Sequence, residues 1–419
     1  MTGALVVFVL TYLVISSTQL AWLGLDRPTG ALVGAVAMVA VGALTFDAAL
    51  AAIDLPVLTL LLGMLILAAY LEDARFFRYT AFVVLTRAGS ARTLLWGLTF
   101  TAGGLSALLL NDTVCLLLTP LVVAVALEAR LPVLPFLLAL ASSANIGGVV
   151  ALSGNPQNMI VARAAHGALG FASYLAIALP VGVACLAANA AVLTWLFRAQ
   201  LPRGPLIERD PPRPAFDRVL AAKALGGLAL FLVLALAGVE LAGAAIFAAA
   251  VVIVVARVPP RKILAQVDWS ILVFFVGLFV VVAGLRATGL IEHAFAALRP
   301  AIGRDDVLGD LALVAVVVVG SNVVSNVPLV VIAVDWIPGL AHPGWSFLLL
   351  AMASTLAGNL TLLGSAANVI VLESAGPRGE IGFWRFARYG AVLTGASLVV
   401  AAAILALARV TGYAGWLGL

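Results

Sequence analysis

The chain has 419 residues, of which 64% are hydrophobic and 10% are charged, and its formal net charge at pH 7 is +4. A soluble domain contains roughly 25% charged residues, so this chain has too few charges to cover a soluble surface. Its mean hydropathy of +1.19 also excludes a cytosolic enzyme, a nucleic-acid-binding protein and a disordered chain. Two cysteines in apolar runs and three scattered histidines predict neither a disulfide framework nor a metal site. The composition predicts an all-α polytopic membrane protein.

Long apolar runs divide the chain into predicted membrane spans, since a span needs about 20 apolar residues to cross roughly 30 Å of hydrocarbon. The first run has no basic residue before it and no small-residue cleavage site after it. A signal peptide has both features, so we expect a true first span with its N-terminus outside. About ten transmembrane helices are predicted, at 4–24, 29–46, 55–71, 133–165, 171–197, 221–238, 241–256, 269–287, 345–372 and 384–408.

Two further apolar stretches, 93–127 and 307–334, are interrupted by polar clusters. We predict that both are re-entrant hairpins, because irregular backbone at membrane depth is tolerated only where protein or a watery cavity surrounds it. The spans 133–165 and 345–372 are also interrupted and are predicted to be discontinuous helices at the midplane. With this layout the C-terminus lies outside, and 18 of the 23 Lys and Arg residues are cytoplasmic. The positive-inside rule favours that distribution.

The two halves of the sequence repeat one another. Asp54-x8-Gly63 recurs as Asp268-x8-Gly277, Asn111 recurs as Asn326, and Gly154-x3-Asn158 recurs as Gly364-x3-Asn368. Each half contains five crossings and one hairpin, and an odd number of crossings turns the second copy upside down. We therefore predict two inverted-topology repeats, 1–197 and 221–419, joined by a cytoplasmic linker at 198–220. Inverted repeats are typical of secondary transporters, whose substrate sites lie near the midplane.

Small polar residues collect at the four interruptions of the apolar runs. The candidate substrate-binding residues are Asn111, Thr113, Asn145, Asn155, Asn158, Ser325, Asn326, Asn359, Thr361, Ser365 and Asn368. Broken helices expose backbone groups and end dipoles that can hold a small polar solute without charged side chains, and Gly154 and Gly364 permit tight turns there. Such polar residues often only join helices, but their pairing between the halves favours substrate binding.

Asp112 is the only acidic residue in the interior of an apolar segment. A carboxylate at membrane depth is costly and burial disfavours its ionised form, so we expect Asp112 to bind and release protons during transport. Asp112 could also cap the half-helix that follows it, whereas Asp54 and Asp268 are expected to cap the ends of spans. No arginine or lysine is predicted at the depth of Asp112.

These motifs resemble those of a known family. The runs 111–120, 135–148, 154–158, 325–328 and 357–368 are similar to the arsenite-permease (ArsB-type) branch of the ion transporter superfamily. The first half most resembles the plant silicon-efflux transporters and their bacterial relatives. The resemblance implies a carrier in the inner (plasma) membrane of a bacterium, which exports a small metalloid or oxyacid such as arsenite, antimonite or silicic acid. Protons would drive it without a cofactor, and dimeric relatives in the wider superfamily imply a homodimer.

The hairpin tips separate this chain from some members of the superfamily. Sodium-coupled dicarboxylate relatives carry Ser-Asn-Thr at both tips, whereas the tips here are Leu-Asn-Asp at 110–112 and Ser-Asn-Val at 325–327. The missing hydroxyls disfavour sodium and the carboxylate favours protons. A sodium-coupled dicarboxylate or other anion carrier and a sodium/proton antiporter stay open as alternatives. A channel would present a continuous polar path, and an intramembrane enzyme would need a second deep aspartate or a histidine pair.

Overall fold

The structure is a computed structural model that describes residues 2–16, 26–202, 204 and 213–419. The first half of the described chain contains α1 (Thr2–Ser16), α2 (Arg27–Ala40), α3 (Phe46–Ala51), α4 (Leu55–Asp73), α5 (Phe76–Arg87), α6 (Ala91–Leu108), α7 (Asn111–Glu128), α8 (Val133–Val149), α9 (Pro156–Ala164) and α10 (Phe171–Leu196). The second half contains α11 (Arg218–Leu236), α12 (Leu241–Ala256), α13 (Pro260–Leu264), α14 (Trp269–Arg286), α15 (Leu290–Ile302), α16 (Val307–Val323), α17 (Asn326–Ala333), α18 (Pro343–Ala357), α19 (Ala366–Ser374), α20 (Phe383–Val410) and α21 (Tyr413–Trp416). Short 3-10 helices lie at Ile337–Gly339, Leu362–Gly364 and Gly376–Gly379.

The helices follow the predicted apolar runs. Each of the four interrupted stretches is a pair of helices: α6 and α7, α8 and α9, α16 and α17, and α18 and α19. α11 begins at Arg218, inside the predicted linker, and the end of the first predicted span falls at 17–24, outside the described residues. Six helices in the described chain, α4, α7, α10, α11, α14 and α20, are long and apolar enough to cross a membrane.

Four helices of the described chain, α3, α13, α15 and α21, lie outside the elements predicted from the sequence. α5 coincides with the stretch Phe76–Leu85, which the sequence predicts to be an interfacial helix. α3 and α13 have six and five residues, far below the length of a span. α15 has 13 residues and buries only Ile291 and Ile302, while its charged residues are exposed or half-exposed. This amphipathic pattern is typical of a helix that lies along a surface, and a search for long apolar runs cannot detect it.

Two matching glycines bring helices of different halves into contact. A Cβ atom at Gly63 of α4 would lie 2.7 Å from the carbonyl carbon of Ala245 in α12. A Cβ atom at Gly277 of α14 would lie 2.5 Å from the carbonyl carbon of Ala31 in α2. Small residues at a helix crossing let the two backbones approach closely inside a membrane. Each repeated glycine therefore allows an equivalent contact between a helix of its own half and a helix of the other half.

The repeated aspartates begin these same helices, as the sequence predicted. Asp54 accepts a hydrogen bond from the backbone N–H of Val57 (3.1 Å), at the start of α4. Asp268 accepts one from the backbone N–H of Ser270 (3.1 Å), at the start of α14. A carboxylate at the N-cap satisfies a backbone donor that the helix leaves free, and the structure confirms that both aspartates are caps.

The long helices form two packed groups. The scaffold group consists of α1, α2, α4, α11, α12 and α14, and the hairpin group consists of α6–α10 and α16–α20. The groups meet where α4 contacts α7 and α9, where α11 contacts α10 and where α14 contacts α17. α5 packs on α4, α6 and α7, and α15 packs on α14 and α16, so each connects the two groups. The predicted polar residues lie almost entirely within the hairpin group.

Candidate functional site

The interruptions of the helices form a polar cluster inside the hairpin group. We call 109–113 and 324–327 the first and second tips, since they join α6 to α7 and α16 to α17. We call 150–155 and 358–365 the first and second breaks, since they separate α8 from α9 and α18 from α19. Helix contacts of α7 with α19, of α9 with α17 and of α8 with α18 bring tips and breaks of both halves together.

Asn145 of α8 holds the second break, although it belongs to the first half. Its amide oxygen accepts hydrogen bonds from Asn111 Nδ2 (3.0 Å) and Ser365 Oγ (2.9 Å). Its amide nitrogen donates to Asn359 Oδ1 (2.8 Å) and Asn368 Oδ1 (3.2 Å). An asparagine has two donor hydrogens and two acceptor lone pairs, so the buried Asn145 uses its full capacity. It joins the first tip to the second break.

Thr355 of α18 has the corresponding role at the first break. Its hydroxyl oxygen accepts hydrogen bonds from Asn155 Nδ2 (3.1 Å) and Gln157 Nε2 (3.3 Å). Its single hydrogen has two acceptors within reach, the backbone carbonyl of Ala351 (2.9 Å) and Asn158 Oδ1 (3.3 Å). Thr355 is fully buried. Asn145 and Thr355 are separated by the same offset as the repeated glycines of the breaks. Each break is therefore held by a polar side chain from the other half.

Asn158 and Asn368 stabilise the two breaks through the same pair of hydrogen bonds. Each donates its amide hydrogens to two backbone carbonyls of its own half. The acceptors are Gly148 (3.0 Å) and Ala151 (3.1 Å) for Asn158, and Gly358 (2.7 Å) and Thr361 (2.9 Å) for Asn368. Their amide hydrogens are thus committed to the unwound backbone, whose carbonyls would otherwise lack partners. This bracing accounts for both asparagines without a solute.

Gly154 and Gly364 serve close packing rather than an unusual backbone conformation. A Cβ atom at Gly154 would lie 2.7 Å from the carbonyl oxygen of Gly148, and one at Gly364 would lie 2.9 Å from that of Gly358. Neither Gly154 nor Gly364 has a positive φ angle. The sequence predicts tight turns here that need the conformational freedom of glycine. The structure corrects this expectation, because each break folds back onto its own helix and leaves no room for a side chain.

Several buried polar atoms near the tips have no hydrogen-bond partner within the described part of the chain. They are Asn111 Oδ1 and Thr113 Oγ1 at the first tip, Ser153 Oγ in the first break, and Ser106 Oγ and Ser321 Oγ near the ends of α6 and α16. Buried polar atoms are nearly always hydrogen-bonded, so these atoms are the ones available to a polar solute or water. Ser106 and Ser321 occupy matching positions in the two hairpins, and the sequence analysis included neither among the ligands.

Asp112 lies in the first turn of α7, beside the first tip. Its side chain is half-buried, and no hydrogen bond or ion pair reaches its carboxylate within the described residues. The alternative that Asp112 caps α7 is wrong, because Leu110 is the N-cap residue and α7 has no side-chain cap bond. Within the described chain, therefore, no other side chain competes with a proton or a solute for this carboxylate.

Arg27 is a basic neighbour of Asp112 that the sequence analysis did not expect. As the first residue of α2, Arg27 lies within electrostatic range of Asp112 and of Glu373 at the end of α19, and Asp268 is also within range of Asp112. The sequence suggested that Arg27 belongs to a loop, because the apolar run begins two residues later. A long arginine side chain can reach well beyond its own backbone position, so membrane depth cannot be read from the sequence position alone.

The second tip is built differently from the first. Ser325 has a φ angle of 63°, which is uncommon for a residue other than glycine. The amide oxygen of Asn326 accepts a hydrogen bond from the backbone N–H of Val327 (2.8 Å). Asn326 Nδ2 lies 3.3 Å from where a Cβ atom at Gly358 would be, so the second tip lies against the second break. Asn111 reaches the same break through Asn145.

Four helices of the hairpin group begin at this cluster: α7, α9, α17 and α19. The first N–H groups of a helix lack partners inside the helix and carry a partial positive charge. Asn155 accepts one of them, the N–H of Asn158 (2.8 Å), at the start of α9. The cluster therefore combines a positive backbone potential with uncharged amides and hydroxyls, and it can hold a negative or strongly polarised solute.

Residues that the sequence analysis did not single out extend the polar cluster. They are Gln157, Thr355 and Tyr174 around the first break, and Asn189, which donates to Ser142 Oγ (2.9 Å). Asn322, an amide that the sequence does place at the second hairpin's interruption, accepts a hydrogen bond from Thr361 Oγ1 (2.8 Å). Thr355 could have been predicted from the sequence, because it occupies the position in the second half that matches Asn145 in the first. Asn189 has no such signal, because it lies in the middle of the uninterrupted helix α10.

Comparison with protein families identifies the family of this chain. A family model described as citrate transporter (CitMHS) matches residues 10–357. The chain belongs to the citrate transporter family. This family lies in the ion transporter superfamily, so the superfamily inferred from the tips and breaks is confirmed. As a family member with many apolar helices, the chain is a multi-pass membrane transporter.

Curated relatives support the same assignment. The chain is 32% identical over 422 residues to the silicon efflux transporter LSI3 of rice (Oryza sativa subsp. japonica), covering 84% of this chain and 86% of that protein. It is 32% identical over 433 residues to an uncharacterized transporter of Mycobacterium tuberculosis, covering 96% and 97%. It is also 25% identical over 517 residues to the putative transporter arsB of Dictyostelium discoideum, covering 94% and 91%. The resemblance to silicon-efflux and ArsB-type proteins is thereby confirmed.

A solved structure supports the fold. The crystal structure of the Alcanivorax borkumensis YdaH transporter, described as having an unusual topology, superimposes with a TM-score of 0.58 at 16% sequence identity. The match covers 90% of this chain and 88% of that one. At this identity the likeness shows a shared fold and nothing about substrate.

Proposed function

We propose that this transporter exports a small, neutral, polyhydroxylated acid, such as arsenite, antimonite or silicic acid, in exchange for protons. The observation that carries the proposal is the first tip. There Asn111 Oδ1 and Thr113 Oγ1 are buried without partners in the described chain, directly beside a carboxylate that has no ion pair within 4.0 Å. Free acceptors and a titratable group meet at one end of α7.

The chemistry of the cluster supports a neutral solute with several hydroxyl groups. Such a solute both donates and accepts hydrogen bonds, as amides and serine or threonine hydroxyls do. No basic side chain takes part in the hydrogen bonds around Asn145 and Thr355 in the described chain. The 32% identical rice relative is named a silicon efflux transporter, and silicic acid is a solute of this kind.

Asp112 is the group that couples transport to protons in this proposal. It binds a proton on the outside and releases it on the inside as the hairpin group moves against the scaffold group. The half-buried carboxylate of Asp112 belongs to the hairpin group, and the charges of Arg27 and Asp268, which belong to the scaffold group, act on it. Movement of one group against the other changes the surroundings of Asp112, which is what proton binding and release require.

Two inverted repeats would provide the alternating access. The matching bonds of Asn158 and Asn368 and the matching helix contacts at Gly63 and Gly277 support a repeated unit in each half. The positive-inside distribution supports a cytoplasmic linker between the repeats and both termini outside, and the resemblance to bacterial carriers supports the inner membrane of a bacterium as the location. In transporters of this kind the repeats rock around a site at the midplane.

Substitution of Asp112 by asparagine tests the proposal. The full chain is reconstituted into liposomes, and the accumulation of arsenite or silicic acid is driven by an imposed pH gradient. We expect Asp112→Asn to reduce pH-driven accumulation at least about tenfold, because the titratable group is lost, while exchange down a solute gradient continues. Asp54→Asn is the matched control, since asparagine caps a helix as well as aspartate does. Wild-type accumulation by Asp112→Asn would reject proton coupling through this residue.

A second candidate is a sodium-coupled carrier of citrate or another carboxylate. The description of the family model favours it, and four helix N-termini at the cluster can attract an anion without a basic side chain. The same liposomes separate the candidates. Uptake of citrate that requires sodium and ignores the pH gradient supports the second candidate, and movement of sodium alone against protons supports a sodium/proton antiporter of the same superfamily.

A further inference from the structure

A groove of about 200 Å³ runs along the outside of the hairpin group, away from the polar cluster. α16 and α20 form its walls, and buried residues of α18 such as Leu349 and Met352 form its floor. The α20 wall contains Ala401, Ala402 and Ala406, whose small side chains leave the space open. At membrane depth no water is present to fill an apolar groove, so hydrocarbon or another protein surface must occupy it.

One end of the groove is closed by charged residues. Asp310 forms an ion pair with Arg409 and accepts a hydrogen bond from Trp345 Nε1 (3.1 Å). Arg409 is also 3.6 Å from Asp305. A second, smaller cavity of about 20 Å³ shares Asp310, Trp345 and Arg409 with the groove. An apolar channel that continues into a charged cavity beside a tryptophan has the polarity of a lipid, and tryptophan is enriched at the headgroup level.

The charged end carries more negative than positive groups. The small cavity and its ion pairs bring together the carboxylates of Asp305, Asp306 and Asp310 and the guanidinium groups of Arg304 and Arg409, with His342 3.0 Å from Asp305. A hydrogen bond from Arg304 lowers the pKa of Asp306 to about 2, so this carboxylate stays ionised at neutral pH. Among these acidic and guanidinium groups, the three carboxylates outnumber the two guanidinium groups by one.

We propose that the groove binds a phospholipid whose headgroup ends in a primary ammonium group. One acyl chain lies along α20, and the ammonium donates to the carboxylates of Asp305 and Asp310. A primary ammonium offers three donors and a positive charge, which fit a cluster with surplus carboxylate. An anionic headgroup would add charge of the same sign. This site is separate from the transport cluster and does not depend on the proposed substrate.

Competition between two lipids tests the site. The full chain in mild detergent is exposed to equal amounts of phosphatidylethanolamine and phosphatidylglycerol with identical acyl chains, and bound lipid is counted by native mass spectrometry. We expect at least fivefold preference for phosphatidylethanolamine. Ala402→Phe fills the groove and should remove at least four-fifths of the bound phosphatidylethanolamine. Ala403→Phe, at the next exposed position and outside the groove, should leave binding unchanged.

Two further variants make the outcome decisive. Asp305→Asn removes the excess negative charge and should bring retention of the two lipids to equality. Ala406→Phe fills the same groove and replaces Ala402→Phe if that variant does not fold. The proposal is overturned by equal retention of both lipids in the wild type, or by equal loss in Ala402→Phe and Ala403→Phe. It is also overturned if Ala402→Phe abolishes a dimer while lipid retention is unchanged, since the occupant is then a second copy.

Discussion

The first and second tips occupy matching places in the two halves, but their side chains are used differently. At the first tip Asn111 leaves its amide oxygen free and Asp112 has no ion pair in the described chain. At the second tip Asn326 turns its amide oxygen onto the next backbone N–H, and Val327 stands where Asp112 stands in the first. The two breaks, by contrast, are braced by the same bonds. Shared bracing fits a common mechanical role for the halves. In the mechanism proposed above, the difference between the tips places the solute and proton chemistry mainly at the first tip.

Replacement of the asparagine at each tip by alanine is expected to give the largest difference in transport between the two tips. Asn111→Ala should lower transport at low substrate concentration on the order of tenfold, because a lost hydrogen bond in a buried site costs about 1–3 kcal/mol. Asn326→Ala should lower it by less than about threefold, because the amide oxygen of Asn326 serves its own backbone. Initial rates in liposomes, corrected for the amount of folded protein, measure both effects. Equal losses in the two variants would mean that the tips contribute equally and that the contrast between them is only structural.

The sequence was sufficient to predict the helical class, the long helices and the four interruptions. Long apolar runs and repeated motifs are visible in a single sequence, and Gly63 and Gly277 show their offset directly. The partners of the amides were not predictable. Asn158 and Asn368 looked like substrate ligands, yet their hydrogens bind carbonyls several residues earlier. That outcome depends on the path of unwound backbone, which no periodicity encodes.

The electrostatics of the site were also only partly predictable. Asp112 stands out in an apolar run, so its position near the cluster could be anticipated. Arg27 could not, because it begins α2 in the scaffold group and comes within electrostatic range of Asp112 only through the packing of the two groups. Contacts between two packed groups depend on how the groups pack against each other, and that packing cannot be predicted from the local sequence pattern of either group.

The two cross-braces offer a second, smaller contrast. Asn145→Ala removes four hydrogen bonds, and Thr355→Ala removes the two that the Thr355 oxygen accepts from side chains and the one that its hydroxyl donates. Hydrogen bonds between side chains in membrane proteins contribute about 0.6 kcal/mol each, so we expect free energies of unfolding lower by about 2–3 kcal/mol for Asn145→Ala and about 1–2 kcal/mol for Thr355→Ala. Equilibrium unfolding in detergent measures both. Thr355→Ser keeps the hydroxyl and is the control; a greater cost for Thr355→Ala than for Asn145→Ala would contradict the ranking.

Arg27 gives the smallest expected effect and the most specific one. The position that matches Arg27 in the second half is Leu241. A scaffold arginine thus lies within electrostatic range of the first tip, and an apolar residue takes its place in the repeat. A nearby positive charge favours the ionised carboxylate and therefore helps Asp112 to release its proton. Without that charge, release requires a higher pH. We expect Arg27→Gln to move the pH profile of transport upward by about half to one unit, where one unit corresponds to about 1.36 kcal/mol.

The pH profile of transport, measured by varying the internal pH of the liposomes, separates this electrostatic role from a structural one. Arg27→Lys keeps the charge and should keep the wild-type profile, whereas a merely structural arginine would be impaired equally by Lys and Gln, with no shift in the profile. Glu373 also lies within range of Arg27, so Glu373→Gln tests whether Arg27 acts on Asp112 directly. Loss of Glu373 leaves the arginine less neutralised and should move the profile downward, opposite to Arg27→Gln. Shifts of the same sign would place the titrating group elsewhere than at the first tip.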